Sequence, residues 1–234
     1  MTDSVYLRLA GPLQSWAKPA VAGNFVNTQE VPTASALQGL VAGALGYRRG
    51  EWPGWISDID FVVREDKRAQ IVDDFHTIGS REDEYTFRRR LAILQGIPAK
   101  SAKSIAFKPG VGATVIARRT YLSDAEFLVR MTLDGHTEDL DRAVADPVFS
   151  TYLGRKAFPA TFPFYLGVGN SDLINLVPVI KKGDSVPKRV GVKQYFLGMG
   201  PGARPAQVGV PTVPDRASWM DAVTALGLKR RQTI

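Results

Sequence analysis

Val5-Tyr6-Leu7-Arg8-Leu9-Ala10-Gly11-Pro12 alternates apolar and polar residues and then meets a Gly-Pro breaker. The alternation predicts a half-buried β-strand that stops before Gly11. A loop follows to about residue 32. Over residues 34–45, Leu37, Leu40, Val41, Ala44 and Leu45 recur at helical spacing. Thr33 or Ser35 is the expected N-cap and Gly46 the residue just past the end. Residues 59–64 read as a second strand and 127–133 as a third. Residues 137–145 read as a short helix with acids in its first turn, ended by Pro147.

The order is strand, helix, strand, long middle segment, strand, helix. It is close to β-α-β-β-α-β, so the expected class is α+β with a ferredoxin-like (RRM-like) palm. The palm is expected over residues 1–147, interrupted by an insertion at about 76–118. Residues 148–234 are rich in Gly and Pro and read as a smaller C-terminal β-rich region, with a candidate strand at 174–180 and a last helix at 219–226. No repeat or low-complexity segment is visible.

The bulk numbers narrow the class. With 234 residues and 44% apolar composition the chain can build a substantial core. It carries 30 Lys+Arg against 23 Asp+Glu, a net charge of +7, which bears on partners and solubility rather than fold. The absence of cysteine excludes disulfides, thiolate chemistry and Cys-ligated zinc, and fits a reducing compartment. The N-terminus lacks a signal-peptide pattern, and the longest mostly apolar stretch, 34–47, is too short to span a bilayer. The cytoplasm is the expected location, with no membrane partner.

The charge is unevenly placed. Residues 1–75 hold seven basic and nine acidic residues. Residues 86–120 hold eight basic residues and no acid: Arg88, Arg89, Arg90, Lys100, Lys103, Lys108, Arg118 and Arg119. Five Gly and Pro residues lie in the same stretch. A long acid-free insertion of this composition reads as a phosphate-tracking arm. A second cluster, Tyr152-Leu153-Gly154-Arg155-Lys156, precedes Phe158, Phe162, Phe164 and Tyr165. It pairs phosphate-binding cations with rings that either stack on unpaired bases or fill the core. Lys181, Lys182, Lys188, Arg189 and Lys193 form a third cluster.

Catalytic signatures are sparse. Two histidines and no cysteine give no metal-ligand spacing, and neither a metal nor a cofactor is expected. The Gly-rich run at 198–202 lacks a Walker lysine, and there is no Gly-x-Ser-x-Gly elbow. Metal-independent RNA cleavage needs a base for the 2′-hydroxyl, an acid for the leaving oxygen and a cation for the developing charge. His76, at the entrance to the insertion, is the one candidate base worth naming; His136 follows a glycine in an expected surface turn. That alternative reading is a metal-independent endoribonuclease. A generic RRM module is disfavoured because no expected strand carries an RNP1-like aromatic string.

Five stretches, in order, resemble the CasD family of CRISPR-associated proteins within the RAMP superfamily. They are Leu7-Arg8-Leu9-Ala10-Gly11-Pro12-Leu13-Gln14-Ser15-Trp16; residues 32–46 (PTASALQGLVAGALG); Phe75-His76-Thr77 with Arg81-Glu82-Asp83; Arg119-Thr120-Tyr121-Leu122; and residues 152–156. Together they cover about residues 5–168. The resemblance implies a ferredoxin-like palm, a long thumb at the insertion and a smaller C-terminal β region. It further implies a non-catalytic subunit of the type I-E Cascade complex. Such a subunit grips the 5′ handle of CRISPR RNA, caps the filament of backbone subunits and contacts the large PAM-reading subunit. Target DNA is reached only through the assembled complex. A type I-C relative cuts RNA with a Tyr, a Lys and a His, the last two adjacent; this chain has no Lys-His pair. The expected RNA-binding residues are Arg88, Arg89, Arg90, Lys103, Lys108, Arg118, Arg119, Arg155 and Lys156 at phosphates. Tyr152 is expected to stack on a base or donate its hydroxyl, Gly154 to let the backbone approach RNA, and Gln14 and Trp16, in the loop after the first strand, either to line the RNA or to anchor that loop.

Overall fold

The computed structural model describes residues 3–16, 18, 25–78, 115–183, 186–198 and 204–231. The chain divides into two compact units. The first comprises Met1–Lys18, Thr28–Val72 and Tyr121–Ile234, and the second Pro19–Asn27 and Asp73–Thr120. In chain order the elements are β1 (Asp3–Ala10), β2 (Leu13–Gln14), β3 (Phe25–Val26), α1 (Ala34–Ala44), β4 (Asp60–Lys67), β5 (Gln70–Ile78) and β6 (Val115–Ser123). They continue with β7 (Glu126–Thr132), α2 (Thr137–Ala145), β8 (Tyr165–Asn170), β9 (Val179–Ile180), β10 (Arg189–Phe196), β11 (Ala206–Val213) and α3 (Arg216–Ala225). Short 3₁₀ turns occupy Gly54–Asp58 and Ser171–Asn175.

The first unit is built on a sheet of order β8-β1-β7-β4-β10-β11-β9. Its first four strands are antiparallel, with β1 between β8 and β7 and β4 beyond β7. With α1 and α2 as the crossovers, this is the ferredoxin-like β-α-β-β-α-β arrangement. The strand that completes it is β8, which lies beyond residue 147. Strand β10 then pairs antiparallel with β4 and with β11, while β9 adds a parallel pair to β11. Residues after 147 thus lengthen the palm's own sheet at both edges.

Alternation divides the core between two faces. Val5, Leu7, Leu9, Phe61, Val63, Phe127, Val129 and Met131 pack with Leu37 and Val41 of α1 and Leu140 and Val144 of α2. Tyr6, Val62, Leu128 and Leu166 pack on the other face with Ile174, Val177 and the α3 residues Trp219 and Val223. The predicted α1 has its cap at Thr33, whose hydroxyl accepts from the Ala36 N–H at 3.3 Å. Gly46 follows at φ +88°, the left-handed geometry that closes a helix. Helix α3 begins at Arg216 rather than 219, because the Asp215 carboxylate caps it by accepting from the Ser218 N–H at 2.8 Å. The candidate strand at 174–180 is instead a 3₁₀ turn followed by the two-residue β9.

Strand β1 corrects the half-buried reading. Residues 4–10 are all buried, because the C-terminal segment covers the face that alternation assigned to solvent. Arg8 and Arg64 are consequently enclosed. The Arg8 Nε donates to the Glu126 Oε1 at 2.5 Å and its Nη1 to the Thr161 hydroxyl at 3.2 Å. Arg64, 0% exposed, donates from Nε and Nη2 to the two Asp66 oxygens at 2.6 and 2.8 Å and from Nη1 to the Ile174 carbonyl. Burial pushes the Asp66 carboxyl up, and the Arg64 guanidinium opposes that by its charge and hydrogen bonds. Removing one partner of such a pair strands the other in a dry core. Asp66→Ala is therefore expected to cost about 3–5 kcal/mol in urea unfolding; a loss below about 1 kcal/mol would contradict the paired geometry.

Candidate nucleic-acid interface

The loop at residues 152–158 is shaped by what it buries. Leu153 is 0% exposed and Phe158 9%. Between them the Leu153 N–H donates to the Phe158 carbonyl at 2.8 Å, and the Phe158 N–H to the Arg155 carbonyl at 2.9 Å. With those two side chains anchored inward, Tyr152 (39% exposed) and Lys156 point to solvent. The Ser15 N–H donates to the Leu153 carbonyl at 3.0 Å and fixes the loop against the segment after β2. Gly154 sits at φ +84°, and a Cβ there would lie 1.6 Å from the Ser15 carbonyl oxygen. The close approach expected at Gly154 is thus first of all one between two stretches of the protein's own backbone.

Arg155 is held on an aromatic platform. Its guanidinium carbon lies 5.4 Å from the centroid of Tyr121 and 5.9 Å from that of Phe158, and its Nη1 donates to the Tyr121 hydroxyl. The two rings meet edge-to-face at 4.9 Å. Cation–π contact and one hydrogen bond orient the group and leave further N–H donors of its five free. Neither Arg155 nor Lys156 has a carboxylate partner among the described residues, unlike Arg8, Arg64, Arg118 and Arg130. Uncompensated cations beside an exposed tyrosine can bind phosphate and stack a base. Tyr121 and Phe158 were not among the expected site residues. Tyr121 stood in the Arg119-Thr120-Tyr121-Leu122 motif, but nothing local ties it to a residue 34 positions later.

Other expected residues have different places. Gln14 is 0% and Trp16 1% exposed, so neither lines a surface. The Gln14 Nε2 donates to the carbonyls of Leu9 (3.2 Å) and Ala125 (2.9 Å), while its Oε1 accepts from the Trp16 indole at 3.1 Å. The pair ties the loop after β1 to the core. Phe164 packs against the core, whereas Phe162 is 84% exposed. In the second unit, β3 pairs parallel with β6, placing Phe25 opposite Arg118 and Val26 opposite Arg119. Arg118 is exposed and donates to the Asp73 carboxylate at 2.6 Å; Arg119 is half-buried. His76 lies on β5. His136 stacks on Trp55 at 4.4 Å and bonds Asp139 at 3.0 Å. Arg88, Arg89, Arg90, Lys103 and Lys108 lie outside the described residues. Among the described residues no group of three His, Asp or Glu side chains is arranged to hold a metal ion, and no helix is long and apolar enough to cross a membrane.

Two measurements test this geometry. Gly154→Ala combines a positive φ with a clash against fixed backbone. It is expected to lose more than the ~1–2 kcal/mol of a left-handed alanine in chemical denaturation; near-wild-type stability would refute the close approach. The Arg118 guanidinium holds the Asp73 carboxyl below its ordinary value. A depressed folded-state pKa means that the pair's stabilisation is present above the ordinary aspartate range and is lost as pH falls through the depressed value. Carbon-detected NMR should show Asp73 titrating low in the wild type and returning to the ordinary range in Arg118→Ala.

Comparisons with known proteins bear on the family and the fold. The family described as CRISPR-associated protein (Cas_Cas5) matches residues 4–200. The Escherichia coli (strain K12) protein named CRISPR system Cascade subunit CasD is 30% identical over 200 residues, covering 76% of this chain and 79% of that protein. Among solved structures, a chain of one titled CRISPR RNA-guided surveillance complex superposes with TM-score 0.72 at 24% identity, covering 95% of this chain and 98% of its own. A second, titled Crystal structure of Cas protein, gives TM-score 0.54 at 22% identity, covering 91% and 100%. The structural likenesses establish a shared fold, and the sequence matches establish descent: the chain belongs to the CRISPR-associated protein (Cas_Cas5) family.

Proposed function

We propose that this chain is a non-catalytic, RNA-binding subunit of a type I-E Cascade surveillance complex, gripping the 5′ handle of CRISPR RNA and capping the filament of backbone subunits. The observation that carries the proposal is the unpaired Arg155, oriented on Tyr121 and Phe158 beside solvent-facing Tyr152 and Lys156. Charge-assisted contacts to phosphates supply affinity, and a splayed base on Tyr152 supplies selectivity. The thumb expected at about 76–118 lies mostly outside the described residues; its run of cations adds phosphate contacts to this reading. Support for a subunit role comes from the 30% identity to a protein named as a Cascade subunit. Its partners are then CRISPR RNA, the backbone subunit and the large PAM-reading subunit. Support for a non-catalytic role comes from the absence of an adjacent Lys-His pair in the sequence and from His136 being engaged with Trp55 and Asp139.

The test is co-expression with the other Cascade subunits and quantification of bound CRISPR RNA. Arg155→Ala is expected to lower RNA retention about tenfold or more, the scale of one charged hydrogen bond. Lys156→Ala, which leaves the Tyr121–Phe158 platform untouched, should lower it less but measurably. Normal RNA content in both variants, or cleavage of CRISPR precursor RNA by the purified chain in EDTA, would overturn the proposal.

A further inference from the structure

Strand β4 ends at Lys67 and β5 begins at Gln70. A cavity of about 290 Å³ lies at this connection, lined by Glu30, Glu65, Arg68, Ala69, Ile71 and Leu122, all of them in the first unit. The volume is at the lower end of the roughly 300–1,000 Å³ of ligand sites and suits one flat ring system rather than a whole nucleotide. Glu65 stands two residues beyond Val63 on β4, so it shares the helix-covered face of the sheet where that face runs out of apolar packing. Leu122 is wholly buried and Ile71 is 59% exposed, so the walls run from the core out to solvent.

The Tyr195 hydroxyl donates to the Glu65 Oε2 at 3.3 Å. This orients the carboxylate and leaves its Oε1 without a hydrogen-bond partner among the described residues. Burial, with the Glu65 and Glu30 carboxylates nearby, pushes the Tyr195 hydroxyl up to about 12, so it remains a donor at neutral pH. Lys193 is half-buried and stands opposite Glu65 in register on β10, yet among the described residues the two form no ion pair. Glu30 and Arg68 are exposed and have no ion-pair partner among the described residues either. The cavity therefore presents acceptors on two carboxylates, donors on one guanidinium, and apolar walls between them.

We infer that this cavity receives a guanine base. A basic side chain from a partner would be drawn by the carboxylates but repelled by Arg68, whereas a neutral heterocycle carrying both donors and acceptors uses both signs. Guanine is the base whose Watson–Crick edge sets two adjacent N–H donors, on N1 and N2, beside an acceptor, O6. A carboxylate such as Glu65 accepts from both donors, and an arginine such as Arg68 matches O6 and N7. Unpaired bases are read on those edges, and Ala69, Ile71 and Leu122 supply apolar surface for the ring. Leu122 directly follows Tyr121, the ring beneath Arg155, in β6, so the cavity and that platform share a strand. The inference rests on the RNA-binding reading only for the source of the base: an RNA strand and a free guanine nucleotide present the same edge.

The full chain is titrated by anisotropy with a labelled oligouridine carrying one central guanine and with the all-uridine strand. The guanine strand is expected to bind about tenfold more tightly, as one bidentate base contact allows. Glu65→Gln and Arg68→Ala, both outside the core, should bring that ratio close to one, whatever the lost charge does to the all-uridine affinity. Arg155→Ala should weaken both strands alike and keep the ratio; unchanged binding there would count against the handle-gripping reading and leave this one standing. Saturation-transfer NMR with guanosine monophosphate, and with adenosine monophosphate as control, reads the cavity without RNA. Guanine-specific transfer that Glu65→Gln removes, with no preference between the strands, assigns the cavity to the free nucleotide; a strand preference without transfer assigns it to RNA. Neither preference nor transfer, or a preference that survives Glu65→Gln, overturns the inference. So does transfer to arginine amide and none to the nucleotide, which would make the cavity a cradle for a partner's basic side chain.

Discussion

The Arg64 guanidinium has no access to water, and the covering of the sheet's second face is organised around that fact. A buried cation survives only if its charge and donors are answered. Asp66, two residues away on the same strand, answers the charge, and the Ile174 carbonyl takes the remaining contact. That carbonyl belongs to a turn 110 residues later, so the pair joins β4 to the C-terminal part of the chain. Trp219 of α3 follows the same logic: its indole donates to the Pro178 carbonyl at 2.9 Å, and Arg216 lies 4.2 Å over its ring. Arg8 and Arg216 both approach Glu126 beside that tryptophan. Polar groups that would be liabilities in a plain sandwich thus specify how the C-terminal segment docks.

Closing both faces of the palm sheet has a functional consequence. A sheet with one bare face can present its strands to RNA; here that face is filled by Ile174, Val177, Trp219 and Val223. In this unit the half-exposed cations lie on loops instead, and the 152–158 loop is held firm because its own anchors, Leu153 and Phe158, are core residues. Gly154 permits the approach to Ser15 that locks it. Rigid support beneath a half-buried cation limits the entropy that a contact with a ligand would cost, which is the physical consequence of setting Arg155 on a platform.

Charge is the property that changed most between one dimension and three. The net +7 describes the chain, but many of its arginines are spent internally: Arg8 on Glu126, Arg64 on Asp66, Arg130 on Asp60 and Arg118 on Asp73. Among the described residues of the first unit, Arg155 and Lys156 are left without a carboxylate partner on the 152–158 loop. A cluster in sequence becomes a binding surface only where the fold withholds its counter-charges.

Local periodicity made much of the fold legible. Strands β1, β4 and β7 and helices α1 and α2 could be placed because side-chain alternation and helical spacing act over a few residues, and because Thr33, Gly46 and Pro147 punctuate the chain locally. The cations and aromatics of the 152–158 loop were equally visible. Which of them face inward was not. Phe158 is inside and Phe162 outside, where the sequence left both open, and Gln14 and Trp16 are sealed in the core, anchoring their loop rather than lining a surface. Those outcomes, together with the burial of β1 on both sides, the recruitment of β8 and β10 into one sheet and the platform under Arg155, depend on partners tens to more than a hundred residues away. Sequence alone determined β1, β4, β7, α1 and α2, because their causes are local. Tertiary structure alone decided which polar groups are answered within the protein and which are left for a ligand, because that depends on what the rest of the chain brings against them.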